Sequence, residues 1–227
     1  VAVWEPHARA NPVTARTLTD DAATSILGAA AECRALESVV VRSGIEIYGR
    51  RRGSITRPDE RAPVDPTTQY GQMVADIEHT AAAIGRRVGV SVGAVRLAPV
   101  LGPHVPSPLG RFLRLPAVPF SALADPPFAV IHKYDAAEAL VAAARVRLAE
   151  PLNVVAPGAI TVRQAIRRGR RIPVPIIGPE WGLAGRLAYV SGSPIPDHVF
   201  EMLHRGRLAD PGRAREVLGF VPTTTTS

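Results

Sequence analysis

Few residue patterns in this 227-residue chain could do chemistry, and most of them fail on spacing. The six histidines, His7, His79, His104, His132, His198 and His204, form no HExxH or comparable ligand set, and Cys33 is the single cysteine. A zinc centre needs three or four clustered nitrogen or sulfur donors, so no metal site is expected. One thiol cannot close an internal disulfide. A phosphate cradle would read as a glycine-rich turn between a strand and a helix, and no such cluster follows a strand here. Lys133 is the only lysine, so nearly all the positive charge behind the net +7 is arginine. The densest runs, Arg50-Arg51-Arg52 and Arg167-Arg168-Gly169-Arg170-Arg171, lack interleaved aromatics and any helix-turn-helix frame. They read as solvated surface, and no nucleic-acid partner is expected.

With 46% hydrophobic and 21% charged residues the chain can bury one sizeable core and a small second subdomain. Its 22 prolines and 19 glycines interrupt every apolar run well short of the ~20 residues that span a bilayer, so no membrane partner is expected. The lone thiol and the absence of a basic, then apolar, leader at Val1–Glu5 point to a reducing, cytoplasmic compartment.

The elements that would position any site alternate between helix and strand. Small and apolar residues recur at helical spacing from Thr19 through Ile26, Ala30 and Cys33, and Ser38–Ser43 then reads as a buried strand. After a polar loop over 49–66, Thr67 is expected to cap a helix carrying Met73, Ile77, Ala81 and Ile84 on one face and stopping near Gly85. Strands are expected at 90–97, 128–131 and 152–156, with a helix capped by Asp135 before the last. The remainder reads as short helices at 161–168, 181–189, 196–204 and 211–218. This order predicts an α/β fold with a parallel sheet over 1–156, an inserted loop near 99–126, and a small, mostly helical segment over 157–227.

Three segments, in order, resemble the extended short-chain dehydrogenase/reductase family, which includes the UDP-galactose 4-epimerases and sugar-nucleotide dehydratases. Val39-Val40-Val41-Arg42-Ser43-Gly44-Ile45-Glu46-Ile47-Tyr48-Gly49 is similar to the family's strand that ends in serines before a valine-tyrosine-glycine. Tyr70-Gly71-Gln72-Met73-Val74 resembles its YxxxK helix, with Glu78 at the place of a following glutamate. Arg96-Leu97-Ala98-Pro99, followed by Gly102-Pro103, falls where members carry an arginine, then an asparagine, then glycine-proline; Ile131-His132-Lys133-Tyr134-Asp135 sits like the family's His-x-x-Asp segment. The resemblance implies part of a Rossmann-like parallel sheet with a C-terminal substrate-binding subdomain. It also implies NAD or NADP as cofactor, a nucleotide sugar as substrate, and a homodimer paired through helices that include the tyrosine-bearing one. Tyr70 becomes the general acid/base and contacts the cofactor, Ser43 the accompanying hydroxyl, and Leu97 and Ala98 the border of the nicotinamide.

The departures are equally specific. The family's ammonium, which lowers the tyrosine pKa and holds the cofactor ribose, is replaced by Val74, and a phenol alone titrates near about 10. Restoring Val74→Lys is expected to recover that effect. Counting back from Tyr48-Gly49, the hydroxyl position falls on Gly44, with Ser43 one residue early and facing the other side of the strand. Pro99 replaces the asparagine. Val1–Trp4 resembles the fourth strand of the sheet, so the glycine-rich first half is missing from this sequence, as in a truncation. The reading is therefore an epimerase/dehydratase-like protein impaired in catalysis as given, with a non-catalytic nucleotide- or partner-binding relative as the alternative.

Overall fold

A half-buried run of β-branched residues, Val39–Val41, makes the first strand, β1 (Ser38–Gly44), which becomes buried at Ser43 and Gly44, and the chain tips over its end into a short 3-10 helix, Ile45–Tyr48. This computed structural model describes residues 21, 24–30, 32–33, 35–177 and 195–225, with 24–30 helical as the spacing predicted. The expected strand at Val1–Trp4 and helix at 181–189 lie outside the described residues.

Helix α1 (Gln69–Val88) returns the chain to β2 (Ser91–Leu97), and β2 pairs in parallel with β1 and with β6 (Pro151–Val154), giving the order β1-β2-β6. Gly44 lies opposite Leu97 and Leu97 opposite Val154, so three carboxyl ends finish at one level. Between β2 and β6 run β3 (Val100–Leu101), α2 (Pro108–Leu113), β4 (Ala117–Ser121), β5 (Ile131–His132) and α3 (Lys133–Arg145). Beyond β6 come α4 (Val162–Arg168), β7 (Ile172–Ile176), α5 (Asp197–Arg205) and α6 (Gly212–Leu218). The α/β class with parallel pairing is as expected.

Several boundaries are corrected. The cap of α1 is Thr68, whose hydroxyl accepts from the Gly71 N–H at 3.0 Å, and not Thr67. The helix runs through Gly85 and ends at Gly89, which takes the left-handed conformation (φ 72°) that favours glycine. Gly85 serves packing instead: a Cβ there would lie 2.4 Å from the Val92 side chain. The stretch near 99–126 holds β4, and β4 pairs in parallel with β7. Their prolines read as breakers in sequence. Ile172 donates to Pro116 and Ala122 to Ile176, a spacing that puts Pro119, Pro173 and Pro175 at alternate positions where the ladder needs no donor. The strand expected at 128–131 is reduced to Ile131–His132, with Phe128 making isolated bridges to Ile160 and Arg207.

Two cores result. Ile45, Val74, Val95, Leu97 and Leu152 pack around the three-stranded sheet, and Ala209, Ala214 and Phe220 rejoin this core from the C-terminal end. Leu109, Phe112, Val118, Phe128, Ile166 and Met202 make the second. Among the described residues no helix is long and apolar enough to cross a membrane.

Asp135 does not cap α3. It is fully buried in the first turn, and its carboxylate accepts from the Thr223 N–H (2.9 Å), the Thr223 hydroxyl (2.8 Å) and the Thr224 N–H (3.2 Å). Burial pushes its pKa up, but these bonds from the C-terminal segment outweigh burial and hold it below the usual carboxylate value. A depressed folded-state pKa contributes stability above about pH 3.9 that fades as pH falls through the folded value. Asp135→Asn is expected to cost about 2 kcal/mol at pH 7 by urea unfolding, with the difference fading as pH falls through the depressed folded-state value.

Candidate active site at the carboxyl ends of the parallel strands

Gly44 closes β1 in ordinary extended geometry (φ −142°, ψ 151°) beside the Leu97 carbonyl, which lies 3.8 Å from where a Cβ on Gly44 would stand. Two residues on, Glu46 turns back over that bare α-carbon. Its Oε2 is 2.3 Å from the same Cβ position, so the carboxylate fills the space a side chain at residue 44 would occupy. Glu46 is only 5% exposed. The sequence signal for it is a single charge inside the otherwise apolar run Ile45-Glu46-Ile47-Tyr48.

Tyr70 reaches this point because its helix starts directly on the 3-10 turn. A Cβ on Gly71 would meet the Glu46 carbonyl oxygen at 2.7 Å and the Thr68 hydroxyl at 3.0 Å, so only glycine lets the first turn of α1 seat there. Tyr70, half-buried, packs against the core that holds Ile45, Leu97 and Ala98. Leu97 and Ala98 are both buried, and the Ala98 N–H donates to the Val154 carbonyl at 3.1 Å. Tyr70, Gly44, Glu46 and the Leu97–Ala98 backbone thus gather at one end of the sheet. Ser43 is placed differently. It is 2% exposed on the other face of β1, and its hydroxyl has no hydrogen-bond partner among the described residues.

Val74, one turn along α1 from Tyr70, is 1% exposed within the sheet core. Lys133 cannot substitute for an ammonium there: it donates to the Pro103 carbonyl (2.8 Å) and lies over the Tyr134 ring. Ser107, in the loop before α2, accepts from the Gly110 N–H as that helix's cap. No cluster of three or more His, Cys, Asp or Glu residues among the described ones could hold a metal.

Behind the site runs a buried polar chain. Arg96 grips Glu78 with two bonds (2.9 and 2.7 Å) and donates to the Tyr48 hydroxyl (2.9 Å), which donates to Asn153 (2.7 Å). Asn153 in turn donates to the Glu60 carboxylate and the Pro58 carbonyl, tying the 50–66 loop to β6. On the other side α5 closes against the same turn. Glu201 accepts from Thr67 (2.5 Å) and pairs with buried Arg207 (2.5 Å), while Arg50 and Arg205 each donate to the other's backbone carbonyl. Asp197 accepts from the Gln69 N–H (2.6 Å), and the His198 ring stacks on Tyr70 with centroids 4.3 Å apart.

Residues 10–119 match the model of the NAD dependent epimerase/dehydratase family. Uncharacterized proteins of Mycobacterium tuberculosis and Mycobacterium bovis are each 32% identical over 208 residues, 90% of this chain and 55% of theirs, so the chain spans about half their length. Among solved structures, MoeE5 in complex with UDP-glucose and NAD matches with TM-score 0.73 at 24% identity, covering 100% of this chain and 73% of that one. A UDP-galactose 4-epimerase matches at 0.72 and 20%, covering 98% and 70%. The dTDP-glucose 4,6-dehydratase of Bacillus anthracis in complex with NAD matches at 0.69 and 15%, covering 96% and 67%. At these identities the structures speak for the fold, which is Rossmann-like.

Proposed function

We propose, from the premise that residues 10–119 belong to the NAD dependent epimerase/dehydratase family, that this chain supplies the tyrosine-bearing part of an enzyme acting on a nucleotide sugar. The observation that carries the reading is the seating of the Tyr70 turn on the Glu46 carbonyl at the strand tips, beside Leu97 and Ala98. In an open parallel sheet ligands bind at those carboxyl ends. The described residues suit the reactive end of a nicotinamide cofactor in size at Ala98, while at Gly44 the Glu46 carboxylate takes the space of a side chain and would face the reacting group. They do not supply a pyrophosphate cradle: no described strand leads through a glycine cluster into a helix. Bound NAD or NADP would supply the hydride acceptor for a carbinol carbon of the sugar.

The chain's own residues then divide the work. Tyr70 takes or returns the carbinol proton, and Leu97 and Ala98 border the cofactor ring. Glu46 supplies an acceptor where Gly44 carries no hydroxyl. The segment after residue 157 covers the sugar nucleotide. Because position 74 is apolar, the phenol relies on groups outside its own helix to favour the phenolate.

The test uses the complete protein that contains this chain. NADH and NADPH are titrated by fluorescence, and UDP-glucose, UDP-galactose and UDP-glucuronic acid are incubated with NAD and resolved by chromatography. Turnover is expected, with Tyr70→Phe lowering kcat by about 10²–10⁴-fold. Cofactor binding without turnover of any sugar nucleotide would instead establish the non-catalytic alternative.

A further inference from the structure

We propose that His198, held in place by Asp197, is a positioning residue for Tyr70; the inference rests on the assignment of Tyr70 as the reactive phenol. Their segments, 128 positions apart at Gln69 and Asp197, meet through two specific contacts. Asp197 begins α5, and its carboxylate accepts both the Gln69 N–H (2.6 Å) at the first residue of α1 and the His198 N–H (2.7 Å). That carboxylate therefore locks the start of one helix to the start of the other, immediately beside Tyr70. The neighbouring imidazole lies against the phenol ring, with centroids 4.3 Å apart and planes 28° from parallel. His198 is 9% exposed, and Asp197 stands 3.5 Å from its Nδ1.

A flat ring against the phenol face removes freedom about the tyrosine side-chain torsions, which a catalytic phenol needs removed before it can meet a substrate hydroxyl. In this chain the task falls to α5, because Val74 offers neither charge nor hydrogen bond from within α1.

The complete protein is labelled with [13Cζ]tyrosine, and the Tyr70 resonance is assigned by its loss in Tyr70→Phe. That resonance should shift in His198→Ala and stay near its wild-type position in His198→Phe, because an aromatic ring held 4.3 Å from the phenol displaces its chemical shift. His198→Ala should lower kcat by about 10-fold or more with KM within about 3-fold, while His198→Phe, which keeps a flat ring, should restore most of it. A Tyr70 resonance indifferent to His198→Ala would overturn the proposal. So would a His198→Ala enzyme with unchanged kcat. If no variant, wild type included, turns over a sugar nucleotide, the catalytic reading falls, and the resonance alone decides whether His198 holds Tyr70.

Discussion

Val74→Lys is expected to destabilise the protein by about 3–5 kcal/mol and not to rescue the tyrosine, although position 74 is where a lysine would complete the YxxxK pattern. Val74 is 1% exposed and packed with Ile45, Val95 and Leu97 in the core under the sheet. A lysine there buries an ammonium where the carboxylate one turn along α1, Glu78, is already gripped by Arg96, and burial drives such a group toward its neutral form. The pH dependence identifies the mechanism. With its folded-state pKa depressed, the introduced lysine binds fewer protons folded than unfolded, so stability rises with pH and the deficit shrinks toward about pH 10.4. Urea denaturation of both proteins at pH 6, 8 and 10 measures this. A variant as stable as the wild type at pH 6 would mean that the ammonium finds a partner or reaches water.

The second large effect belongs to the Arg96–Glu78 pair. Both side chains are nearly buried, and Glu78 accepts two bonds from one guanidinium whose remaining arm holds the Tyr48 hydroxyl. Glu78→Gln leaves a buried guanidinium without its counter-charge and is expected to cost about 3–5 kcal/mol. Arg96→Met should cost a similar amount, because it strands Glu78 and removes a partner from Tyr48 together. Replacing both by apolar residues of similar size should recover much of the loss, since a buried ion pair stabilises little relative to a well-packed apolar pair. A double-mutant cycle on denaturation midpoints checks this. Additive single losses, with no recovery in the double variant, would show that the two residues act separately. Glu78 would then be an ordinary helix-surface acid.

The periodicity of the chain was enough to place β1, α1, β2 and β6, and short helices near 162–168, 197–205 and 212–218. These depend on local spacing of apolar residues and on caps, which neighbours in sequence supply. The misplacements came where a residue's role is set from far away. Thr67 has the chemistry of a helix cap, yet its hydroxyl serves Arg50 and Glu201 from other segments, so the cap falls to Thr68. Gly85 looks like a stop signal but is small because β2 passes beside it. Asp135 looks like a cap but receives the C-terminal segment. The prolines of β4 and β7 read as breakers because the alternation of ladder donors becomes visible only once the two strands are paired.

Sequence by itself carried the parallel α/β plan, a matter of residue spacing, and, through the resemblance of its motifs to the family's, the candidate phenol and the apolar residue at the place of its ammonium. Only tertiary structure decided that Glu46 folds back over Gly44, that Val74 lies sealed in the core, and that His198 stacks on Tyr70. The contact of His198 with Tyr70 joins residues more than a hundred positions apart, and Glu46 reaches its place through a 3-10 turn that periodicity does not announce. Side-chain direction and long-range approach depend on how elements pack, and no local pattern encodes them.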